Sequence, residues 1–452
     1  MERRAGLSLA LIYAFRMFGL FLILPVFALY AEDMPGATPF LAGLAIGIYG
    51  LTQALLQIPF GLLSDRIGRK PVIALGLLLF AAGSLVAAMA DSITGIIIGR
   101  ALQGSGAIAA ALMALAADLS REEHRTTMMA LIGASIGAAF AASMVLSPVI
   151  SGWVGLSGIF VMTAVLAVIG MLILFVLVPD PLETKFRRDA EVDVGALASV
   201  LRSADLLRLD AGIFSLHFVL MSAFLVMPLL LRDVAGFAAA DHWQVYLPVF
   251  VASLVLMLPL VILAEKKQQM KPVFIGAIAV LAAALWQIMR ADSASGLIAG
   301  LLFFFVAFNL LEASLPSLVS KTADARYKGT AMGVYSGSQF LGTFSGGVAG
   351  GAAHAAWGVQ GALGAALAAV GIWFVIALFM RRPRALSTYL LHVGRQAPDE
   401  ATLLAVSGVV EAAIIREDGI AYLKVEKRIL DEQKLLSFAS AQSQTQSFTE
   451  HR

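Results

Sequence analysis

The 452 residues are 60% hydrophobic and 14% charged, against roughly 45–50% and about 25% in soluble domains, so no soluble fold could hide this much apolar surface. A net charge of +2 gives no argument for a nucleic-acid partner, and the absence of cysteine excludes disulfides, thiol catalysis and cysteine-ligated metal sites.

Arg3 and Arg4 precede an apolar run that contains Arg16, outlasts a signal-peptide core and lacks an A-x-A cleavage pattern near its end, so it reads as a first membrane span. Apolar windows and their polar breaks predict helices near 7–30, 40–63, 71–90, 94–117, 127–151, 157–178, 209–231, 243–263, 272–290, 296–318, 329–352 and 360–380. Thr126–Pro179 and Gly329–Met380 contain no Asp, Glu, Lys or Arg. Each is more than twice the roughly 20 residues that one helix needs to cross the hydrocarbon core, so each is expected to be a hairpin of two spans. Continuous apolar runs contradict the alternation of a barrel strand, and only helices or closed barrels satisfy the backbone in lipid.

Lys and Arg are concentrated on the side that carries the N-terminus, and the other side holds Arg232 and Arg290. That asymmetry predicts an even number of spans with both termini in the cytoplasm. The polar stretch 180–208 is expected to be a cytoplasmic linker dividing two six-helix halves, 1–179 and 209–384. A basic stretch after the eighth span, EKKQQMK at 265–271, occupies the place that SDRIGRK at 64–70 holds in the first half. Two such halves with a site between them is the plan of an alternating-access transporter.

After Arg384 the composition becomes that of a soluble domain. The runs VVEAAII and IAYLKV, separated by Glu417, Asp418 and Gly419, predict a β-hairpin. A strand at 386–393 and short helices near 399–406 and 430–438 complete a β-α-β-β-α module over 385–438. The Ser- and Gln-rich end, 439–452, is expected to be disordered.

The most specific local pattern is GLLSDRIGRK, Gly61–Lys70, in the turn after the second span. Taken alone, Asp65, Arg66, Arg69 and Lys70 read as ordinary positive-inside charge, and Gly61 as permitting close helix approach. The full pattern G-x-L-x-D-R-x-G-R-K resembles the signature loop of the major facilitator superfamily. GRALQGSGAIAAA at 99–111 resembles its second motif, with Arg100, Gln103, Gly104 and Gly106 in place. SPVISG at 147–152 resembles the antiporter motif G-P-x-x-G-G, with Ser147 and Ser151 in place of glycines and Pro148 and Gly152 retained.

The resemblance covers residues 1–384 and points to drug:proton antiporters of bacterial inner membranes. It implies an all-α membrane protein of twelve transmembrane helices in two six-helix halves. Some members carry a small ferredoxin-like cytoplasmic domain after the last helix, which the module at 385–438 would match. It further implies that Gly61, Asp65, Arg66, Gly68, Arg69 and Lys70, with Asp118 at the end of span four, form a conformational latch that holds the cytoplasmic side closed.

Ionisable residues inside apolar spans are costly and by default functional. Arg16, Arg100, His217 and Glu312 qualify, with Asn309 close to Glu312 and Gln103 close to Arg100; Glu32 and Asp33 end span one. Arginine keeps its proton, so Arg16 and Arg100 can hold an anion or a carboxylate but cannot carry a coupling proton. Glu312 is the expected proton site, followed by Asp33 and His217. Structural readings stand beside these: a packing carboxylate at Glu312, a satisfied histidine near the cytoplasmic end at His217, an anchor on backbone carbonyls at Arg100. Pro148 is a candidate hinge. The glycines of span eleven, at 342–353, and the small residues of span five, GASIGAAFAAS at 133–143, read as close helix packing, and the phenylalanines at 303–305 and 308 as lipid contacts or a cavity lining.

Nothing resembles an enzyme's nucleophile and base, a phosphate loop or a metal cluster. The expected function is a secondary transporter exporting small lipophilic or amphipathic compounds in exchange for protons, with the lipid bilayer, substrate and protons as partners and no cofactor. A symporter of the same fold, or a transporter-derived sensor regulated by the C-terminal module, are the alternatives. The sheet edge of that module is a candidate surface for self-association.

Overall fold

The computed structural model describes residues 2–120, 122–180, 194–266, 269–324, 327–380, 387–394, 398–415, 419–426 and 429–439. They fall into two compact units, Met1–Arg381 and Arg382–Arg452.

The first unit is helical: α1 Glu2–Phe21, α2 Phe27–Glu32, α3 Pro39–Ile67, α4 Arg69–Ala88, α5 Ile93–Ser105, α6 Ala109–Asp118, α7 Glu122–Val176, α8 Val194–Arg202, α9 Ala204–Phe224, α10 Met227–Asp233, α11 Trp243–Lys266, α12 Met270–Arg290, α13 Ala294–Thr322 and α14 Lys328–Leu378. Among the described residues, 10 helical stretches are long and apolar enough to cross a membrane. Two of them, Thr127–Val176 and Lys328–Leu378, run to 50 and 51 residues. Each is interrupted once: at Gly155, with φ 65°, and at Trp357–Gly358, where the glycine has φ 64°. That left-handed backbone is open to glycine and costs other residues about 1–2 kcal/mol.

Three expected continuous spans are broken. The first divides between α1 and α2 at 22–26, around Pro25, which lacks an N–H and keeps its predecessor out of the helical region. The seventh divides in the same way before α10, with Pro228 in its first turn. The fourth divides between α5 and α6, because Gly106 lies against the backbone of Gly76 with no room for a Cβ. The expected linker is partly helical, since α8 covers Val194–Arg202 and α9 begins at Ala204, ahead of the predicted 209. Residues 181–193 lie outside the described residues.

Local features recur about 200 positions apart. Ser92 caps α5 by accepting from Gly95 N, and Ser293 caps α13 by accepting from Gly296 N. Lys70 Nζ donates to Val178 O at the end of α7, and Lys271 Nζ donates to Leu378 O at the end of α14. The interruptions at Gly155 and Gly358 and the breaks near Pro25 and Pro228 follow the same spacing.

Close packing is concentrated on α14, which runs against α9 and α3. A Cβ on Gly342, Gly346 or Gly350 would overlap Phe214, Phe218 or Ser222 of α9, and one on Gly347 would overlap Gly43 and Gly47 of α3. This bears out close packing for the glycines of span eleven. In span five the small residues divide: Ser135 donates to Ala10 O of α1 and Ala139 and Ser143 are buried, whereas Gly133 and Gly137 have no heavy atom within 4 Å of a would-be Cβ, and neither have Gly329, Gly333 and Gly337 at the start of α14. Those faces are open.

In the second unit, β1 Ser387–His392, α15 Glu400–Leu404, β2 Val409–Ile415, β3 Ile420–Val425 and α16 Glu432–Leu436 follow the expected order. The sheet order is β1-β3-β2 with both neighbouring pairs antiparallel, so β1 and β2 run parallel on either side of β3. Period-two alternation buries Ala421, Leu423 and Val425, which pack with Leu391, Leu403, Val409 and Leu435. Gly419 opens β3 with φ 65°; Glu417, Asp418 and, apart from Ala439, the tail 439–452 lie outside the described residues.

Candidate functional site

The loop of the first motif is built on Gly68, whose φ of 98° and ψ of 156° join the end of α3 to the start of α4. This brings Asp65, in the last turn of α3, onto Arg69, the first residue of α4, in an ion pair. Arg69 also donates from Nε to Asp118 Oδ2 at 3.2 Å and from Nη1 to Ser64 Oγ at 2.8 Å. One guanidinium thus ties α3, α4 and the end of α6. Lys70 bonds Val178 O at 2.6 Å and Asp180 Oδ1 at 2.8 Å, adding the end of α7. Arg66 is exposed. Gly61 faces Ala110 with a would-be Cβ at 3.4 Å, an ordinary contact, so the expected close helix approach there is not present.

A second group of polar residues is assembled from α9, α13 and α14. Gln339 Nε2 lies 2.8 Å from His217 Nε2 and 3.4 Å from Glu312 Oε1, and His217 Nδ1 is 3.9 Å from Glu312 Oε2. The Glu312 side chain is 38% exposed and His217 8%. Glu312 Oε2, His217 Nδ1, the Tyr335 hydroxyl and Asp210 Oδ2 are buried atoms without a hydrogen-bond partner. Asn309, one turn before Glu312, donates to Ser253 Oγ of α11 at 3.0 Å. His217 is well inside α9 rather than near its end. Asp33 is exposed at the C-cap of α2 and takes no part in this group.

Sequence reading missed Gln339, Tyr335 and Asp210. The signal for Asp210 was available, as a carboxylate at the start of an apolar span; the two residues of α14 are an uncharged amide and a phenol in a glycine-rich run and carry no such signal.

Toward the Glu32 end of the helices, this group is roofed by aromatic rings. Phe140 of α7 packs on Phe250 and Phe308 at 5.7 and 5.9 Å, Phe250 on Phe305 at 4.4 Å, and Phe308 lies 6.3 Å from the His217 ring. Phe304, Phe305 and Phe308 are buried; of the run in span ten only Phe303 is exposed, so the expected lipid contact is confined to that residue.

Arg16 and Arg100 are both buried. Arg100 donates to Ala45 O, Ile46 O and Gln103 Oε1, and Gln103 donates on to Ser84 Oγ, the arrangement of an anchor between α3, α4 and α5. Arg16 donates from Nη2 to Gln53 Oε1 at 2.6 Å and to Gly106 O at 2.9 Å, the second being a carbonyl in the break of span four that also accepts from Ile108 N. Both guanidinium groups lie over the Tyr49 ring, at 5.9 and 5.1 Å.

Ser147 donates to Leu22 O, a carbonyl in the break of the first span, so the serine that replaces a motif glycine performs a bonding task. Ser151 O accepts from Tyr30, and a Cβ on Gly152 would lie 3.2 Å from Ala240. The backbone of α7 stays helical through Pro148, and the interruption falls at Gly155. No group of His, Asp and Glu suited to a metal occurs among the described residues.

The sequence profile described as the Major Facilitator Superfamily matches residues 9–347. The chain is 46% identical over 435 residues to the inner membrane transport protein YajR of Escherichia coli (strain K12), covering 95% of each. It is 26% identical over 351 residues to the multidrug resistance protein MdtH of Aeromonas salmonicida (strain A449), covering 76% of this chain and 86% of that one. A bacterial homolog of the human lysosomal transporter Spinster, solved in an inward-facing and occupied conformation, superposes with a TM-score of 0.68 at 14% identity, covering 83% of this chain and 95% of its own. Together with the apolar helices and the complete first-loop motif, these likenesses establish that the chain is a multi-pass membrane transporter, not an enzyme, and belongs to the Major Facilitator Superfamily.

Proposed function

We propose that the protein is a proton-coupled exporter of small lipophilic or amphipathic compounds, working by alternating access, with Glu312 as its proton-binding group. The observation that carries this reading is the environment of Glu312. Its carboxyl is open on one side, has no lysine or arginine partner among the described residues, and is held by Gln339 beside His217 within an apolar helix. A carboxylate so placed is costly unless it can take up a proton. The aromatic roof is suited to lipophilic compounds, and the likeness to the multidrug resistance protein MdtH supports a drug-like cargo.

Twelve spans follow from counting the two interrupted stretches as hairpins, which adds two to the ten apolar stretches. The features recurring about 200 residues apart support two six-helix halves. With both termini cytoplasmic, the open glycine faces lie on the inner side. Asp65, Arg69 and Asp118 act there as a latch that is completed when the two halves close over it. Ser147, Pro148 and Gly152 act as a pivot against the broken first span. The second unit is a ferredoxin-like module without its fourth strand; its β1 and β2 edges suit self-association or regulation.

Energy comes from the proton gradient and no cofactor is needed. Reconstituted liposomes loaded with ethidium and given an inward or outward pH gradient test this. Ethidium flux opposed to proton flux in the wild type, and Glu312→Gln flux that ignores the gradient, are the expected results. A variant that keeps the full pH-gradient dependence removes Glu312 from the role, and co-directional flux makes the protein a symporter.

A further inference from the structure

Gln339 places one side-chain nitrogen between two groups that can each hold a proton. A primary amide nitrogen carries two hydrogens and only donates, so His217 Nε2 and Glu312 Oε1, at 2.8 and 3.4 Å, both act as acceptors. An ionised carboxylate accepts more strongly than an acid. The arrangement therefore suits an ionised Glu312 and a neutral His217 with its hydrogen on Nδ1, the nitrogen facing Glu312 Oε2 at 3.9 Å. A proton on His217 Nε2 would set two donors face to face. A proton on Glu312 weakens the other bond, unless the amide turns over and presents its oxygen to both neighbours.

We infer that Gln339 is a positioning residue that couples proton uptake at Glu312 to His217 and to α14, its amide turning over when the proton arrives. One proton suffices: it enters on Glu312, and the His217 ring exchanges its hydrogen from Nδ1 to Nε2 through water and stays neutral. In the turned state, Gln339 Oε1 accepts from the Glu312 O–H and from His217 Nε2–H. This rests on the reading of Glu312 given above.

The location on α14 gives the switch its reach. Gly329, Gly333 and Gly337, before Gln339, leave open space for a would-be Cβ, whereas Gly342, Gly346 and Gly350, after it, are locked against α9. The amide thus sits where the glycine face of the helix passes from open to packed, while Ala331 and Tyr335 of the same stretch are buried. Other ionisable groups surround it. From α9 comes Asp210, two turns before His217. From α14 comes Tyr335, one turn before Gln339 and within electrostatic reach of Glu312 and Asp210. From α3, Tyr49 meets Phe340 at 6.4 Å beneath Arg16 and Arg100. The contact from α11, through Ser253 and Asn309, is uncharged.

The test uses the full-length protein in liposomes and infrared difference spectra recorded across a pH titration. The carboxyl band absent from Glu312→Gln reports Glu312. Gln339→Met, close in shape but without donors, and Gln339→Leu are expected to raise its midpoint by about one pH unit, the difference between losing a hydrogen bond to the charged carboxylate and losing one to the neutral acid. Nitrogen-15 histidine NMR of the wild type needs no variant. It is expected to show His217 protonated on Nδ1 above the Glu312 midpoint and on Nε2 below it. Unchanged midpoints in both variants, or one tautomer on both sides of the titration, overturn the coupling. If Glu312→Gln leaves every titrating carboxyl band in place while the His217 tautomer still switches, the fault lies with the assignment of Glu312, and the coupling falls with it.

Discussion

Arg232 Nη1 lies 2.5 Å from Glu32 Oε2 and Nη2 lies 3.3 Å from Oε1, a two-pronged pair that joins α10 to α2 across a sequence separation of 200 residues. With Phe140 against Phe250 and Phe308, and Gly347 against Gly43, it fastens the end of the bundle that carries Glu32. The pair is partly exposed, so it is expected to bias the equilibrium between two conformations by about 0.5–1 kcal/mol rather than to hold the fold. Arg232→Ala is expected to raise maleimide labelling of a cysteine placed at Tyr30 severalfold. The chain has no native cysteine, so the label reports that site alone. Unchanged labelling would show that the pair contributes nothing to closure.

The packed and open glycines predict opposite responses to one methyl group. Gly346→Ala forces a Cβ into the backbone of Phe218 and is expected to destabilise by about 1–3 kcal/mol, read as a lower melting temperature. Gly137→Ala fills open space and should be neutral or stabilising by up to about 1 kcal/mol. If that face closes during the transport cycle, Gly137→Ala will keep its melting temperature and lose ethidium flux.

Asp65→Asn and Arg69→Ala remove the centre of a network that ties α3, α4 and α6. Both variants are expected to reach the membrane in normal amount and to lose at least about tenfold in transport, a shift of about 1.4 kcal/mol between conformations. Full flux from both, measured in vesicles, would mean that the loop plays no part in switching.

Ser147→Ala deletes the donor to Leu22 O and leaves a buried carbonyl unpaired, which is expected to cost about 1–3 kcal/mol. Ser147→Gly, which restores the motif residue, should be no more stable than Ser147→Ala. A melting temperature equal to the wild type in both would show that water replaces the hydroxyl.

The apolar helices were legible because the bilayer imposes one length and one composition, and the small sheet was legible in the alternation of IAYLKV. The breaks near Pro25 and Pro228 were not, since a proline inside an apolar run is equally compatible with a kinked continuous helix. The break at Gly106 depends on Gly76, a contact between two distant glycines that no local pattern reveals. Charged candidates were found because charge in an apolar span stands out: Glu312, His217, Arg16 and Arg100 all lie inside the bundle. Gln339 could not be found that way. Its importance comes from the two acceptors that α9 and α13 bring to it, and the open glycines of α7 likewise differ from the packed ones of α14 only through their neighbours.

Among the described residues, the buried Asp, Glu, His, Lys and Arg side chains up to α7 are Arg16 and Arg100, and those from α9 onward are Asp210, His217 and His242, with the solvent-touched Glu312 beside them. Guanidinium groups hold their charge at every physiological pH. On the proposed reading of two halves, acidification therefore changes the interior charge of only one of them. If transport is proton-coupled as proposed, the first serves as an electrically constant stator, and the work done by a proton is delivered to its partner.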